Sequence, residues 1–333
     1  MKDNNIVLFW LRNARSKSLP QSLLPALLAL CMASKIAGFS LFLGILAVFG
    51  IVAAHLSTNL FDDYFDYKMK GAEFRGTLTQ KGVRARMSKC AYITSGQATL
   101  KQLLIAGLTF EGIALVLGIV IFLERDNMIL WIAAISALLG FSYSGAPLRL
   151  SYRGLGEVLI GIMFGPLLMS GVYYSACGQL NEQLLFISIP VGLLVANIIY
   201  THSIMDYEPD KEVGKITFAV LLKNKTLMLL ALLLLLLTTY SCIISGVILG
   251  YLSTWYFLTF VTLPMAIGLF YLMIQFVKHP EKTFMPQFWM GILCDWKHYQ
   301  DANIDWFMIR WLLARNLLTL FCVILAGVVL FVG

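Results

Sequence analysis

The stretch SLFLGILAVFGIVAAHLSTNLFDDYFDYK, residues 40–68, decides how the chain is read. Residues 40–61 carry a single ionisable side chain, His55, and an apolar run of about 20 residues is what an α-helix needs to cross a hydrocarbon core about 30 Å thick. The run then ends in Asp62, Asp63 and Asp66. Comparable runs recur at 19–36, 103–123, 127–145, 155–176, 184–205, 226–250, 253–277 and 306–332. Together they predict an all-α fold, a polytopic membrane helical bundle of nine transmembrane helices. The composition agrees: 59% of the 333 residues are hydrophobic and 13% charged, where soluble domains carry about 25% charged residues. Disordered chains, disulfide-stapled secreted domains and soluble enzymes are excluded. One membrane-embedded domain over 1–333 is the economical organisation. Within it, 278–305, where Trp289 and Trp296 interrupt short apolar stretches, reads as an interfacial cytoplasmic loop. The six cysteines show no C-x-x-C pair, and the N-terminal segment leads into a full run without the pattern of a removable signal.

The basic residues are distributed unevenly. Four precede the first run (Lys2, Arg12, Arg15, Lys17), and the connection after residue 61 holds Lys68, Lys70, Arg75, Lys81, Arg84, Arg86 and Lys89. Alternate connections further on hold Arg149 and Arg153, then Lys211, Lys215, Lys223 and Lys225, then Lys278, Lys282 and Lys297, while the intervening ones hold only Lys35 and Arg125. By the positive-inside rule the N-terminus and the basic connections are expected to be cytoplasmic, with the C-terminus on the opposite side. The net charge of +7 is therefore read as topology, and no nucleic acid partner is expected.

Carboxylates do not orient membrane spans and are costly near hydrocarbon, so their placement is more informative. Asp62, Asp63, Asp66 and Glu73 follow the second run, and Asp206, Glu208, Asp210 and Glu212 follow the sixth. Asn59, Asp62, Asp63 and Asp66 stand at offsets 0, +3, +4 and +7, on one arc of a helix. Asp206 and Asp210, four apart, share a face if the helix continues past Pro209. Converging carboxylates repel unless a cation bridges them, and hard oxygen ligands suit Mg²⁺, which binds a few carboxylates together with substrate phosphates. Two such clusters facing each other would clamp two Mg²⁺ on a diphosphate. His55 and His202, one turn before Asn59 and Asp206, would extend each polar stripe toward an acceptor pocket.

These residues carry a family resemblance. NLFDDYFDYKMKG (Asn59 to Gly71) resembles the first aspartate-rich motif of the UbiA superfamily of intramembrane prenyltransferases, and DYEPDKEVGKIT (Asp206 to Thr217) resembles its second. FSYSGAPLRLSYRGLGE (Phe141 to Glu157) is similar to its Tyr-Ser/Thr-x-x-Pro-Leu segment followed by Gly-Leu-Gly-Glu. WLRNARSKSLPQSLLP (Trp10 to Pro25) resembles the start of the 1,4-dihydroxy-2-naphthoate polyprenyltransferase branch. The resemblance implies that Asn59, Asp62, Asp63, Asp66, Asp206 and Asp210 bind Mg²⁺ and diphosphate. The chain departs from the pattern at Asp62, where Asn is usual, and at Ser203 and Met205, where that branch often has Asn and Arg.

The implied activity is that of an Mg-dependent aromatic prenyltransferase, a transferase of alkyl groups other than methyl. It would move a polyprenyl group from polyprenyl diphosphate to a small aromatic acid in lipid-quinone biosynthesis, with 1,4-dihydroxy-2-naphthoate giving demethylmenaquinone as the leading reaction. Catalytic roles fall to Asp63, Asp66, Asp206, Asp210 and Tyr143, the last through its π-face toward an allylic cation. Substrate-binding candidates are Asn59, His55 and His202, with Arg15, Lys68, Arg149, Arg153 and Lys215 neutralising the departing diphosphate. Membrane lipid is the surrounding partner and no protein partner is implied. The rivals are the same transfer to 4-hydroxybenzoate, homogentisate or another aromatic acceptor, and an ion-coupled secondary transporter, which would need its carboxylates near the midplane of broken helices.

Overall fold

A chain in hydrocarbon must satisfy its own backbone donors and acceptors, so apolar runs of this length become helices. The computed structural model describes residues 5–80, 90–212, 214–280 and 282–332, with backbone alone over 69–80. Among the described residues there is no strand, and eight helices are long and apolar enough to cross a membrane. The protein is an all-α integral membrane protein. The expected count of nine meets one difference. The first run forms α2, Pro20–Ala33, only 14 residues long. At 1.5 Å per residue α2 covers about 21 Å, short of the hydrocarbon thickness. Pro20 starts it at its first turn, and the chain turns away after Ser34 to reach Gly38 at φ +79°.

The chain folds into two compact units. The first comprises Met1–Leu150 and Ser170–Leu180. It contains α1 (Ile6–Asn13), α2, α3 (Leu41–Gln80), the single turn α4 (Ala91–Thr94), α5 (Leu100–Glu124) and α6 (Asn127–Ser144). The helices α3 and α5 lie side by side. Ser57 donates to the carbonyl of Gly107 at 3.0 Å, and a Cβ on Gly107 would stand 3.3 Å from the Phe61 ring, so the small residue sets the approach. Ala14, Leu56, Leu60, Tyr92, Ile93, Leu103 and Ala106 form a buried apolar cluster under α1 and α4. At the other end Arg125 donates to the carbonyls of Ser175 and Ala176 at 2.9 and 2.7 Å, and Tyr174 donates to Asp126 at 2.6 Å.

The second unit comprises Ser151–Met169 and Asn181–Gly333. It runs from α7 (Gly156–Ile162) and a π-turn (Met163–Leu167) into the first two residues of α8 (Leu168–Cys177), the rest of which belongs to the first unit, then through α9 (Glu182–Met205), α10 (Tyr207–Glu212), α11 (Phe218–Leu222), α12 (Lys225–Ile248), α13 (Leu263–Lys278), α14 (Trp296–Asp301) and α15 (Asp305–Phe331). Central to this unit is α9, the most buried of the spanning helices. It crosses α7 at glycines: a Cβ on Gly192 would fall 2.3 Å from the Gly161 carbonyl oxygen and 3.0 Å from Gly165 Cα, so backbone packs on backbone. The eighth expected run begins as a 3₁₀ helix, Thr254–Thr262, before α13. Thr259 and Thr262 each bond the carbonyl three residues back at 2.7 Å, which favours the tighter winding.

Within 278–305, residues 282–292 run along α13 and α15. The Lys282 carbonyl accepts from Arg310 at 3.4 Å, the Trp289 ring covers Gly268, and Asn316 donates to the carbonyls of Met290 and Ile292 at 2.8 and 3.0 Å. Gly268 lies ten residues in from the end of α13 and Asn316 eleven in from the start of α15, so the segment reaches about 15 Å along both helices.

Candidate active site

The carboxylates of the first unit sit on an unbroken helix. α3 continues through residue 66, which puts Asn59, Asp62, Asp63 and Asp66 on one arc, as the spacing predicts. Asp63 and Asp66 are buried. Arg15 reaches them from the turn after α1, where its backbone is left-handed at φ 57°, ψ 45°. Its Nη2 donates to the Asn59 carbonyl at 2.8 Å, Asp62 Oδ2 at 3.0 Å and Asp63 Oδ1 at 3.1 Å. Burial by itself would lower the Arg15 pKa, but the charges of Asp63 and Asp62, with a contribution from nearby Tyr143, hold it above its ordinary value. The other Asp62 oxygen accepts from Ser144 at 2.7 Å, and Asp63 Oδ2 accepts from Tyr92 at 3.1 Å. Burial first, then the adjacent Asp63 charge, raise the Tyr92 phenol well above the usual tyrosine range.

Asn59 uses its side-chain amide to hold the same turn, donating to the Ala14 carbonyl at 3.0 Å and to Ser18 at 3.3 Å. His55 sits with one ring nitrogen 2.6 Å from Ser22 Oγ and the other 3.2 Å from Ser18 Oγ. Both nitrogens are engaged, and His55 joins α3 to α2 and the turn before it. Lys68 is exposed, with its ammonium 5.7 Å from the centre of the Tyr64 ring. Arg149 has a left-handed backbone at φ 46°, and its buried Nε has no hydrogen-bond partner among the described residues. The side chain of Glu73 lies outside the described residues.

In the second unit α9 ends at Met205, and Asp206 caps it. Pro209 does not break the direction of the chain. The amide of Asp210 donates to the Asp206 carbonyl at 2.8 Å, so the two aspartates stand one turn apart on one face. Both are buried. His202 Nδ1 is 3.2 Å from Asp206 Oδ2, with its ring edge-on to Phe307, and Lys215 Nζ is 3.9 Å from Asp210 Oδ2. Arg153 is exposed and forms a short parallel bridge with Ile216.

The donor chemistry of these residues suits a hard divalent cation. Every candidate ligand offers oxygen, and an ionised carboxylate has about four lone-pair sites, so acceptance from Arg15, Ser144 or Tyr92 leaves others available. Among the described residues, no three His, Cys, Asp or Glu side chains are gathered closely enough to hold an ion.

The model of the UbiA prenyltransferase family matches residues 22–294. The chain belongs to the UbiA prenyltransferase family. It is 28% identical over 255 residues to the 1,4-dihydroxy-2-naphthoate octaprenyltransferase of Bacillus subtilis (strain 168), an alignment covering 75% of this chain and 77% of that protein. It is also 28% identical over 258 residues to a UbiA prenyltransferase domain-containing protein 1 homolog of Drosophila melanogaster, covering 76% and 67%. Among solved structures, the fold is similar to that of a UbiA homolog from Archaeoglobus fulgidus bound to GPP and Mg²⁺, with a TM-score of 0.59 at 15% identity, covering 97% of this chain and 99% of that one.

Sequence reasoning passed over Tyr92 and Ser144 beside the aspartates of the first unit, and Glu157, a carboxylate of α7 in the second unit. Ser144 follows Tyr143 in the Tyr-Ser-x-x-Pro-Leu segment, and Glu157 closes Gly-Leu-Gly-Glu, so both carried a signal. Tyr92 carried none, because a tyrosine beyond a long polar connection is not tied to Asp63 by any periodicity.

Proposed function

We propose that the chain transfers a polyprenyl group from its diphosphate to an aromatic acid, with 1,4-dihydroxy-2-naphthoate as the acceptor, in an Mg²⁺-dependent reaction that yields demethylmenaquinone. The observation that carries the reading is a pair of buried aspartates at the end of each of two apolar helices, in a UbiA-family chain similar over three quarters of its length to an enzyme of that name. Mg²⁺, when bound, neutralises charge on the departing diphosphate. In this reading Asn59, Asp62, Asp63 and Asp66 bind Mg²⁺ from α3, and Asp206 and Asp210 bind a second Mg²⁺ from the end of α9. Arg15 fixes the first set, since one guanidinium nitrogen touches Asn59, Asp62 and Asp63. Lys68, Arg149, Arg153 and Lys215 supply the positive field that binds and steadies the diphosphate as the allylic C–O bond breaks. Tyr143 offers a ring face to the allylic cation. His202, held by Asp206, lines the acceptor side.

The asymmetry of Lys and Arg supports a cytoplasmic N-terminus and cytoplasmic carboxylate-bearing helix ends, with the C-terminus on the opposite side. The same transfer to another aromatic acid is the second reading, favoured by Ser203 and Met205 in place of the Asn and Arg frequent in the naphthoate branch. The test is prenyl transfer by purified protein from allylic diphosphates to a panel of aromatic acids, with Asp63→Ala, Asp206→Ala and a chelator as controls. Product with dihydroxynaphthoate, abolished by all three, supports the assignment. Product with a different acid alone moves the acceptor, and product that persists in both variants removes the aspartates from the mechanism.

A further inference from the structure

One buried carboxylate has no place in the mechanism above. Glu157, the second residue of α7, is 5% exposed. Its Oε1 accepts from the Ser203 hydroxyl at 2.6 Å, and both its oxygens lie 3.3 Å from the backbone N–H of Phe218. No Lys, Arg or His among the described residues ion-pairs with it. A buried carboxylate compensated only by neutral donors is expensive to keep, so what those donors belong to is informative.

Ser203 lies on α9 one turn before Asp206, and Phe218 begins α11 three residues after Lys215. The chain between them is fastened to the same neighbour a second time. The amide of Gly154 donates to the Ile216 carbonyl at 2.8 Å, beside the Arg153–Ile216 bridge. Gly154 is at φ +76°, and a Cβ there would come 2.9 Å from Leu221, so the turn before α7 is shaped to lie against this connection. Held this way, the connection returns Lys215 to Asp210: its amide donates to the Asp210 carbonyl at 2.8 Å, and its ammonium stands 3.9 Å from the carboxylate.

We propose that Glu157 is a positioning residue that locks the Lys215-bearing connection to the end of α9, so that the ammonium is presented at Asp210 for the diphosphate. The inference rests on the functional reading above. A carboxylate suits the task because two equivalent oxygens accept from two different elements at once. Glutamine keeps one acceptor, but its NH₂ would face the Phe218 N–H, and alanine keeps none.

The test uses the full chain in detergent, comparing Glu157→Ala, Glu157→Gln, Ser203→Ala, Lys215→Ala and the Glu157→Ala/Lys215→Ala pair. Loss of a supporting partner of this kind costs about 10-fold in activity. Glu157→Ala is expected to lower kcat/KM for the allylic diphosphate by that factor with the KM for the aromatic acceptor unchanged, and Glu157→Gln by less. In the Lys215→Ala background the further loss is about 2-fold or smaller, because both substitutions remove one function. Hydrogen exchange over 214–221 rises in both Glu157 variants and in Ser203→Ala, while α12 and α15 exchange as before. The proposal is overturned if the loss in the Lys215→Ala background is the full factor, if the acceptor KM moves equally, or if exchange over 214–221 does not change. Exchange reports on the fastening in protein that turns nothing over. An inactive wild-type protein removes the functional reading and the proposal with it, whereas an active one with unchanged exchange removes the proposal alone.

Discussion

Replacing Arg15 with methionine keeps its apolar stem and removes the charge that holds Asp62 and Asp63 together. Asp63 is 2% exposed at its side chain, Asp62 15% and Arg15 39%. Truncating one partner of a fully buried pair costs about 3–5 kcal/mol, because the other charge is stranded. Water reaches Arg15 and part of Asp62, which screens the interaction, and Tyr92 still donates to Asp63, so the expected cost is nearer about 2 kcal/mol. A loss of that size lowers an unfolding midpoint by several degrees. The measurement is unfolding in mixed dodecyl maltoside and SDS micelles for Arg15→Met, Asp63→Asn and the double variant. If the guanidinium acts mainly through Asp63, the double variant is more stable than the sum of the singles predicts by about 1 kcal/mol or more. Additivity within about 0.5 kcal/mol would refute the reasoning.

Tyr92→Phe removes a donor to a buried carboxylate and should cost about 1–1.5 kcal/mol. Because the folded phenol titrates above the unfolded value of about 10, this contribution is fully present below pH 10 and is lost as pH rises beyond it; the gap between wild type and variant should be constant from pH 7 to 10 and shrink above. Gly192→Ala drives a methyl into the Gly161 carbonyl and should destabilise the α7–α9 crossing by about 1–3 kcal/mol; an unchanged unfolding midpoint would contradict the close approach. Arg310 is fully buried, donating to the carbonyls of Leu272, Trp306 and Lys282 and lying over the rings of Phe276 and Phe284. A lysine cannot reproduce this planar set of contacts, so Arg310→Lys should speed proteolysis within 282–292 while the remaining sites are cut as before.

Much of this was legible in one dimension because it depends on local periodicity. The eight spans follow from apolar length alone, and the stripe Asn59, Asp62, Asp63, Asp66 follows from 3.6 residues per turn on a helix that does not break. The pair Asp206 and Asp210 was legible as a spacing, but whether Pro209 would separate them depended on the turn after Met205, which keeps the Asp210 amide on the Asp206 carbonyl. The first run looked like a span by hydropathy and became a 14-residue helix, because a proline start and a left-handed glycine beyond its end fix its length independently of its apolarity.

Tertiary structure decided which partners the carboxylates have. Arg15 and Asp63 are 48 residues apart, Tyr92 and Asp63 29, and Glu157 and Phe218 61, and no repeat in the sequence couples positions so distant. His55 shows the same limit from the other side. On the helical wheel it continues the aspartate stripe, yet packing gives both its nitrogens to Ser18 and Ser22. The chain by itself determines which residues must be apolar, helical or acidic, since those depend on neighbours within a turn. Which buried charge is balanced by which donor depends on what the folded helices bring within 3 Å, and only the tertiary structure supplies that.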